Sequence, residues 1–316
     1  MKVLILGGTG FIGRHLTAGL LKDKHEVAVF HRGKQDVRFR RAVLHIHGNR
    51  GQLEEYRRAF RAFSPDVVVD LIAFNGAEAR STVEVFSGQA ERLVCASSMD
   101  VYQAYGSFRR LEISDPPTRP LSEDAPLRTA LFPYRHLAKK ENDLFFRYEK
   151  IAVEQAVMSD ARLPATIVRL PQVYGPFDQQ HRLRAYLKHM DAGKDIVMSD
   201  AKARWRWTRG YVEDIAAGLA LAATNRKASG RIYNIGEREA ESEKDWVERI
   251  GKAARWTGRL RVVPENALPA RLREPYDWNY DLAGDTTRIR RELGYREEVA
   301  RAEAMRRSVR WERLPS

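Results

Sequence analysis

The chain has 316 residues, 43% of them hydrophobic and 31% charged, with a single Cys and a net charge of +13. That apolar fraction excludes general disorder, one Cys excludes a disulfide scaffold, and no apolar run approaches the roughly 20 residues that span a bilayer. A charge of this sign invites a nucleic-acid reading, so the location of the basic excess has to be followed along the chain.

The N-terminal run MKVLILGGTGFIG is broken by glycine after a short apolar stretch and has no small-residue cleavage site after it. It therefore reads as a first strand, Val3–Leu6, and not as a leader. With Cys95 alone available, a reducing cytoplasm is the expected compartment. Further β-branched runs follow at Val27–Phe30, Val43–His45, Val67–Leu71, Leu93–Ala96 and Thr166–Leu170, separated by amphipathic stretches such as Phe11–Lys22, Leu53–Phe63 and Ala77–Gly88. That alternation predicts an α/β protein with a doubly wound parallel sheet covered on both faces. Residues 99–143 are Pro-rich and charged, too long for an ordinary connection and so a candidate functional loop. A single helix is predicted over Leu144–Met158. Beyond it the chain returns to the sheet in pieces, around Tyr211–Leu221 and Arg231–Ile235. The predicted division is a dinucleotide-binding domain from 1–172 plus 207–236 and a smaller, discontinuous lobe from 173–206 plus 237–316.

The sharpest motif is Gly7-Gly8-Thr9-Gly10-Phe11-Ile12-Gly13, lying between a strand and an amphipathic helix. Glycines there allow a tight turn, close approach of a pyrophosphate, and tight packing of helix on strand, with the helix N-terminus facing the phosphates. At the end of the second strand an acidic residue would suit the ribose of NAD, but the sequence is Phe30-His31-Arg32-Gly33-Lys34. Arg32 and Lys34, with Arg14, suit a 2′-phosphate, so NADP is the expected cofactor and NAD the alternative. The basic excess is concentrated in residues 31–62, at +6, and 181–209, at +5.

Several further segments follow in order: Gly48-Asn49-Arg50, Ser97-Ser98-Met99-Asp100-Val101-Tyr102, LSEDAP at 121–126, RLPQVYGP at 169–176, Tyr211-Val212-Glu213-Asp214, Tyr233-Asn234-Ile235-Gly236 and DTTRIRRELGY at 285–295. Together with the glycine turn they resemble the extended short-chain dehydrogenase/reductases, the NAD-dependent epimerase/dehydratase family. The resemblance implies a Rossmann-type fold and an enzyme acting on a nucleotide sugar or another small hydroxy or carbonyl compound. It adds Asn49, Leu71, Ala73, Lys150 and Leu170 to Gly7, Gly10, Phe11, Ile12, Gly13, Arg32 and Lys34 along the cofactor. It also implies a catalytic Ser, Tyr and Lys, with the Tyr four residues before the Lys so that both share one helix face.

Ser98 and Lys150 fit two of these positions, but Phe146 stands where the Tyr belongs. Tyr148, two residues before Lys150, sits about 200° around an ideal helix from it. Three readings stay open: Tyr148 is recruited by a late helix start or bulge, Tyr102, Tyr134 or His136 supplies the proton, or hydride chemistry is lost. For substrate, Tyr102, Arg204, Arg206 and Arg209 are the candidates, with Trp207 at the position of the family's diphosphate-binding Arg. The interleaved arginines and tryptophans equally suit a covered hydrophobic surface. His45 and His47 lack a Cys or carboxylate at ligand spacing, so no metal is expected, and Cys95 reads as a small core residue. The second function class is an atypical dinucleotide-binding protein with an RNA-binding or regulatory role. It is disfavoured because no aromatic RNA-binding motif is present and both basic windows fall where the fold places cofactor and substrate. No membrane partner is expected, and a homodimer is implied by the resemblance.

Overall fold

The computed structural model describes residues 1–34 and 37–314. Its strands are β1 (Lys2–Leu6), β2 (Glu26–His31), β3 (Leu44–His47), β4 (Val67–Asp70), β5 (Arg92–Ser98), β6 (Ala165–Leu170), β7 (Gln172–Tyr174), β8 (Ile196–Ser199), β9 (Arg206–Trp207), β10 (Arg209–Tyr211), β11 (Ile232–Asn234), β12 (Glu241–Ser242) and β13 (Leu260–Val263). Its α-helices are α1 (Phe11–Lys22), α2 (Arg57–Phe63), α3 (Gly76–Phe86), α4 (Gln103–Phe108), α5 (Leu144–Arg147), α6 (Lys150–Val157), α7 (Arg184–Asp191), α8 (Asp200–Arg204), α9 (Val212–Thr224), α10 (Glu243–Ala254), α11 (Thr287–Leu293) and α12 (Arg301–Glu312).

The apolar runs of β1, β2, β4, β5 and β6 are buried on both faces because the sheet is sandwiched between helices. Val3, Ile5, Val27 and Val29 pack with Leu16 and Leu20 of α1 and Ile215 and Leu219 of α9. The alternate residues Leu4, Leu6, Ala28 and Phe30 pack with Phe60, Val83, Val153 and Val157 of α2, α3 and α6. All seven strands run parallel in the order β11-β6-β5-β4-β1-β2-β3. The order reverses between β1 and β4, and the carboxyl ends of strands flanking such a point open into a crevice.

Outside the sheet, β8 pairs with β13, and α7, α10 and α12 pack around Met190, Trp246, Ile250 and Met305. A third cluster stacks Phe108, of the long loop, on Trp205 and Tyr276, centroids 4.9 and 4.7 Å apart.

Three predicted elements differ, the first being the helix expected over Leu53–Phe63, which is a 3₁₀ turn to Tyr56 followed by α2. The stretch 211–221 is mostly helix α9, because its apolar residues are buried on one side against the sheet while β10 ends at Tyr211. The single helix predicted over 144–158 is broken into α5 and α6: Tyr148 has ψ 118° and Glu149 φ −156°, both extended.

Asp214, in the first turn of α9, is 3% exposed and accepts the amides of Glu298 (2.8 Å) and Val299 (3.2 Å). Burial pushes its carboxyl up to about 6 from 3.8 despite those bonds. The native state thus holds a proton that the unfolded chain has released, so this group's contribution to stability falls as pH rises through that window. Asp214→Asn is expected to flatten the profile of Tm against pH between those two values, and an unchanged slope would exclude Asp214 as its source.

Candidate active site

The turn after β1 is built from glycine for separable reasons. Gly7 has φ +92°, and a Cβ on Gly13 would stand 2.1 Å from the Gly7 carbonyl oxygen. Gly10, the residue before α1, is different: its φ is −71° and a Cβ there would meet only Gly7 O, at 3.4 Å. Neither backbone strain nor packing demands glycine at 10, so the open space in front of α1 fits a ligand that comes against the backbone. Phe11 and Ile12 are half-buried at the start of that helix. These residues fit the pyrophosphate of a dinucleotide.

At the end of β2, Arg32 and Lys34 are exposed and join no ion pair among the described residues. The Arg14 guanidinium lies over the Phe177 ring, 3.9 Å from its centroid. Asn49 is exposed and caps its own turn by accepting the Gly51 amide. Arg50 donates to buried Asp70 (2.9 Å) and to the Thr82 hydroxyl (2.6 Å), a tie between β4 and α3 that motif reading did not single out. Leu71 is half-buried beside Gly7, and Ala73 is buried with its carbonyl turned to Lys150.

The break between α5 and α6 decides where Tyr148 sits. Lys150 opens α6, and its buried Nζ donates to Ala73 O and Ala96 O, both at 2.7 Å. Burial pushes its pKa down. Because the helix starts at 150, Tyr148 escapes the 200° rotation of an unbroken helix and its hydroxyl donates to Asp100 Oδ2 at 2.8 Å. Ser98 lines the same cavity, and its Oγ accepts the Asp100 amide at 3.1 Å. Burial first and the Asp100 charge second push the Tyr148 phenol well above its ordinary value, while a hydrogen bond with Ser98 pulls it down. Phe146 faces elsewhere, beside Phe132 and Ala152 and under the Arg135 guanidinium 4.7 Å from its ring centroid.

Asp100, which sequence reading quoted inside a motif but did not select, lies at the centre of this hydrogen-bond network. It also accepts from Tyr134 (3.0 Å), whose hydroxyl meets that of Tyr105 (2.8 Å), so a buried carboxyl connects three phenols. Burial raises the Asp100 pKa, with Arg128 opposing it. The signal available was an acid two residues beyond the serine at a strand end. Of the other proton candidates, Tyr134 lines the cavity, whereas His136 is exposed beside Arg109.

The cavity measures about 660 Å³ and is also lined by Leu170, Gln172, Arg182, Trp207 and Leu282. The substrate candidates are mostly elsewhere. Tyr102 is fully buried, donating to Asn234 Oδ1 (2.7 Å) and accepting from Arg169 (3.0 Å), because that polar network ties β5, β6 and β11. Arg204 is exposed and paired with Asp200 one helical turn away (3.2 Å). Arg206, on β9 between β12 and the Leu282 segment, donates to Ala240 O (2.9 Å). Arg209 is buried in an ion pair with Glu243 and reaches the site only through Gln172, to which it donates at 3.2 Å. Arg182, held by Asp178 at 2.7 Å, is the one cation of the second basic window in the cavity lining. Arg184, Lys202, Arg204 and Arg209 of that window are spent on internal ion pairs. Asp36 of the first window lies outside the described residues. No helix of the described residues is long and apolar enough to cross a membrane.

Comparison with known proteins agrees with the fold. The chain is 27% identical over 260 residues to 2′-dehydrokanamycin reductase of Streptomyces kanamyceticus, covering 80% of this chain and 66% of that one. It is 25% identical over 249 residues to the chloroplast stem-loop binding protein of 41 kDa b of Arabidopsis thaliana, covering 74% and 58%. These matches thus span less than two thirds of the relatives' own lengths. The fold superposes on the UDP-glucose 4-epimerase of Thermus thermophilus, solved with NAD, with a TM-score of 0.71 and 22% identity over 99% of both chains. The family model described as NAD dependent epimerase/dehydratase matches residues 3–86 and 137–236, more than half of the chain. With that match laid over a seven-stranded parallel sheet and its glycine turn, the protein belongs to the NAD dependent epimerase/dehydratase family.

Proposed function

We propose that this protein is an NADP-dependent enzyme that oxidises, reduces or epimerises a hydroxyl or carbonyl carbon of a small polar substrate, with nucleotide sugars the first class to test. The observation that carries this reading is the late start of α6, which delivers Tyr148 to Asp100 in the cavity that Ser98 lines. A bound nicotinamide dinucleotide supplies the hydride chemistry. The glycine turn and the N-terminus of α1 hold its pyrophosphate, and Arg32 and Lys34 take the 2′-phosphate. Lys150, locked to two backbone carbonyls, sets a buried positive charge behind the cavity-lining Phe74, 5.1 Å from its ring centroid. Ser98 orients the substrate oxygen, and Tyr148 moves a proton to or from it at Oη. Asp100, with its raised pKa, is the nearest group to give or take the Tyr148 proton. Gln172, Arg182 and Trp207 are the proposed substrate contacts.

NADPH is expected to bind more tightly than NADH by fluorescence titration. Arg32→Ala should weaken NADPH about tenfold, the worth of one charge-assisted hydrogen bond, and leave NADH unchanged. Gly10→Ala should weaken both dinucleotides while the chain stays folded. Equal affinities would remove the NADP preference. Absence of dinucleotide binding, with saturable binding of an RNA stem-loop that falls steeply with salt, would replace the enzyme reading by an RNA-binding one.

A further inference from the structure

The parallel register of β2 and β3 gathers residues that sequence spacing keeps apart. His31 is the Cα partner of His47, and Val29 is that of His45, so His31, His45 and His47 project from one face at the outer edge of the sheet. One ring nitrogen from each lies within 4.8 Å of the other two. His31 Nε2 and His45 Nδ1 are 2.9 Å apart, and the His31 ring centroid is 4.7 Å from that of His47 and 5.1 Å from that of His45. His31 is buried, whereas His45 and His47 are exposed, which leaves the trio open to solvent on one side.

We propose that His31, His45 and His47 form a three-imidazole site for a divalent late transition-metal ion, of the Zn²⁺, Co²⁺ or Ni²⁺ type, independent of the catalytic cavity. A tetrahedral ion with metal–nitrogen bonds of about 2.0–2.1 Å needs its ligand nitrogens about 3.3 Å apart. The three nitrogens already bracket that spacing, so side-chain rotations of the two exposed rings complete it. Three neutral nitrogen donors select against Mg²⁺ and Ca²⁺, which prefer oxygen. Among the described residues no carboxylate or thiol joins the cluster, so the three imidazoles are the ligands proposed.

Coordination has one identifiable cost. His31 Nδ1 now accepts the Gly33 amide at 3.2 Å, which leaves the ring proton on Nε2, directed at His45. Binding an ion at Nε2 moves that proton to Nδ1 and turns the Gly33 amide away. Gly33, at φ +74° in the loop after β2, is where that adjustment is absorbed.

The test is titration of the tag-free, chelator-treated protein with Co²⁺, followed by visible absorption and calorimetry, with Mg²⁺ as control. The expected result is one Co²⁺ per chain at micromolar affinity, an intense tetrahedral-type spectrum, a Tm raised by Co²⁺ or Zn²⁺, and no response to Mg²⁺. His45→Ala and His47→Ala, at exposed positions, should each weaken binding at least tenfold while keeping the metal-free circular dichroism and Tm. Absence of saturable binding, or binding undiminished in the double variant, would overturn the proposal.

Discussion

Replacing Tyr148 with Phe is expected to lower turnover by about 10²–10⁴-fold, the range that loss of a positioned proton donor produces. Dinucleotide affinity should stay near the parent value, because the glycine turn and Lys150 are untouched. The prediction rests on geometry: the Tyr148 hydroxyl is bonded to Asp100, whereas Phe146 packs beside Phe132 and Arg135. Consequently Phe146→Tyr placed in the Tyr148→Phe background restores the family's spacing on paper but puts the phenol outside the cavity, and it should not rescue the rate. Steady-state kinetics on a substrate found by panel screening checks both variants. Rescue by the Phe146→Tyr change would show that the helix heals in solution and that the break is not the functional state.

Loss of the Glu149 carboxylate should be as damaging to the fold as loss of Tyr148 is to the chemistry. Glu149 accepts from Arg128 (3.0 Å) and from the amides of Phe132 (2.6 Å) and Ile151 (2.9 Å). Both charged side chains of the pair are at most 1% exposed. Glu149→Ala leaves the buried Arg128 charge, still bonded to Asp100 O and Ala130 O, without its carboxylate, and two amides without their acceptor, for which about 3–5 kcal/mol of destabilisation is expected in denaturant unfolding. It also removes the anchor that keeps residues 148 and 149 extended, so activity should fall further than stability alone explains. A loss below about 1 kcal/mol would mean that water or a neighbouring group replaces the carboxylate.

How far the site was legible depended on whether local or distant atoms fix each residue. Gly7 and Gly13 are demanded by contacts within the same turn, and α1 follows from its own apolar spacing, so both were readable. Ser98 and Lys150 were placed through the order of motifs. Tyr102 and Arg209, read as substrate candidates, are bonded to Asn234 and Glu243, because an aromatic or cationic side chain looks alike in sequence whether it faces a ligand or is spent on a buried partner. Asp100 and Gln172 were passed over for the converse reason.

The sequence by itself determined the doubly wound sheet, the phosphate-binding turn and the absence of a Tyr at the usual distance from Lys150. Period and glycine placement are local quantities that need no partner to be recognised. Only the tertiary structure decided where Tyr148 sits. The break before Lys150 depends on Arg128, 21 residues upstream of Glu149, and on Phe74 O, which receives the Glu149 amide at 2.9 Å. The register of β2 against β3 likewise brings His31 beside His45 and His47. In each case residues distant in sequence meet because strand pairing and buried charge, not local propensity, set the lowest free energy.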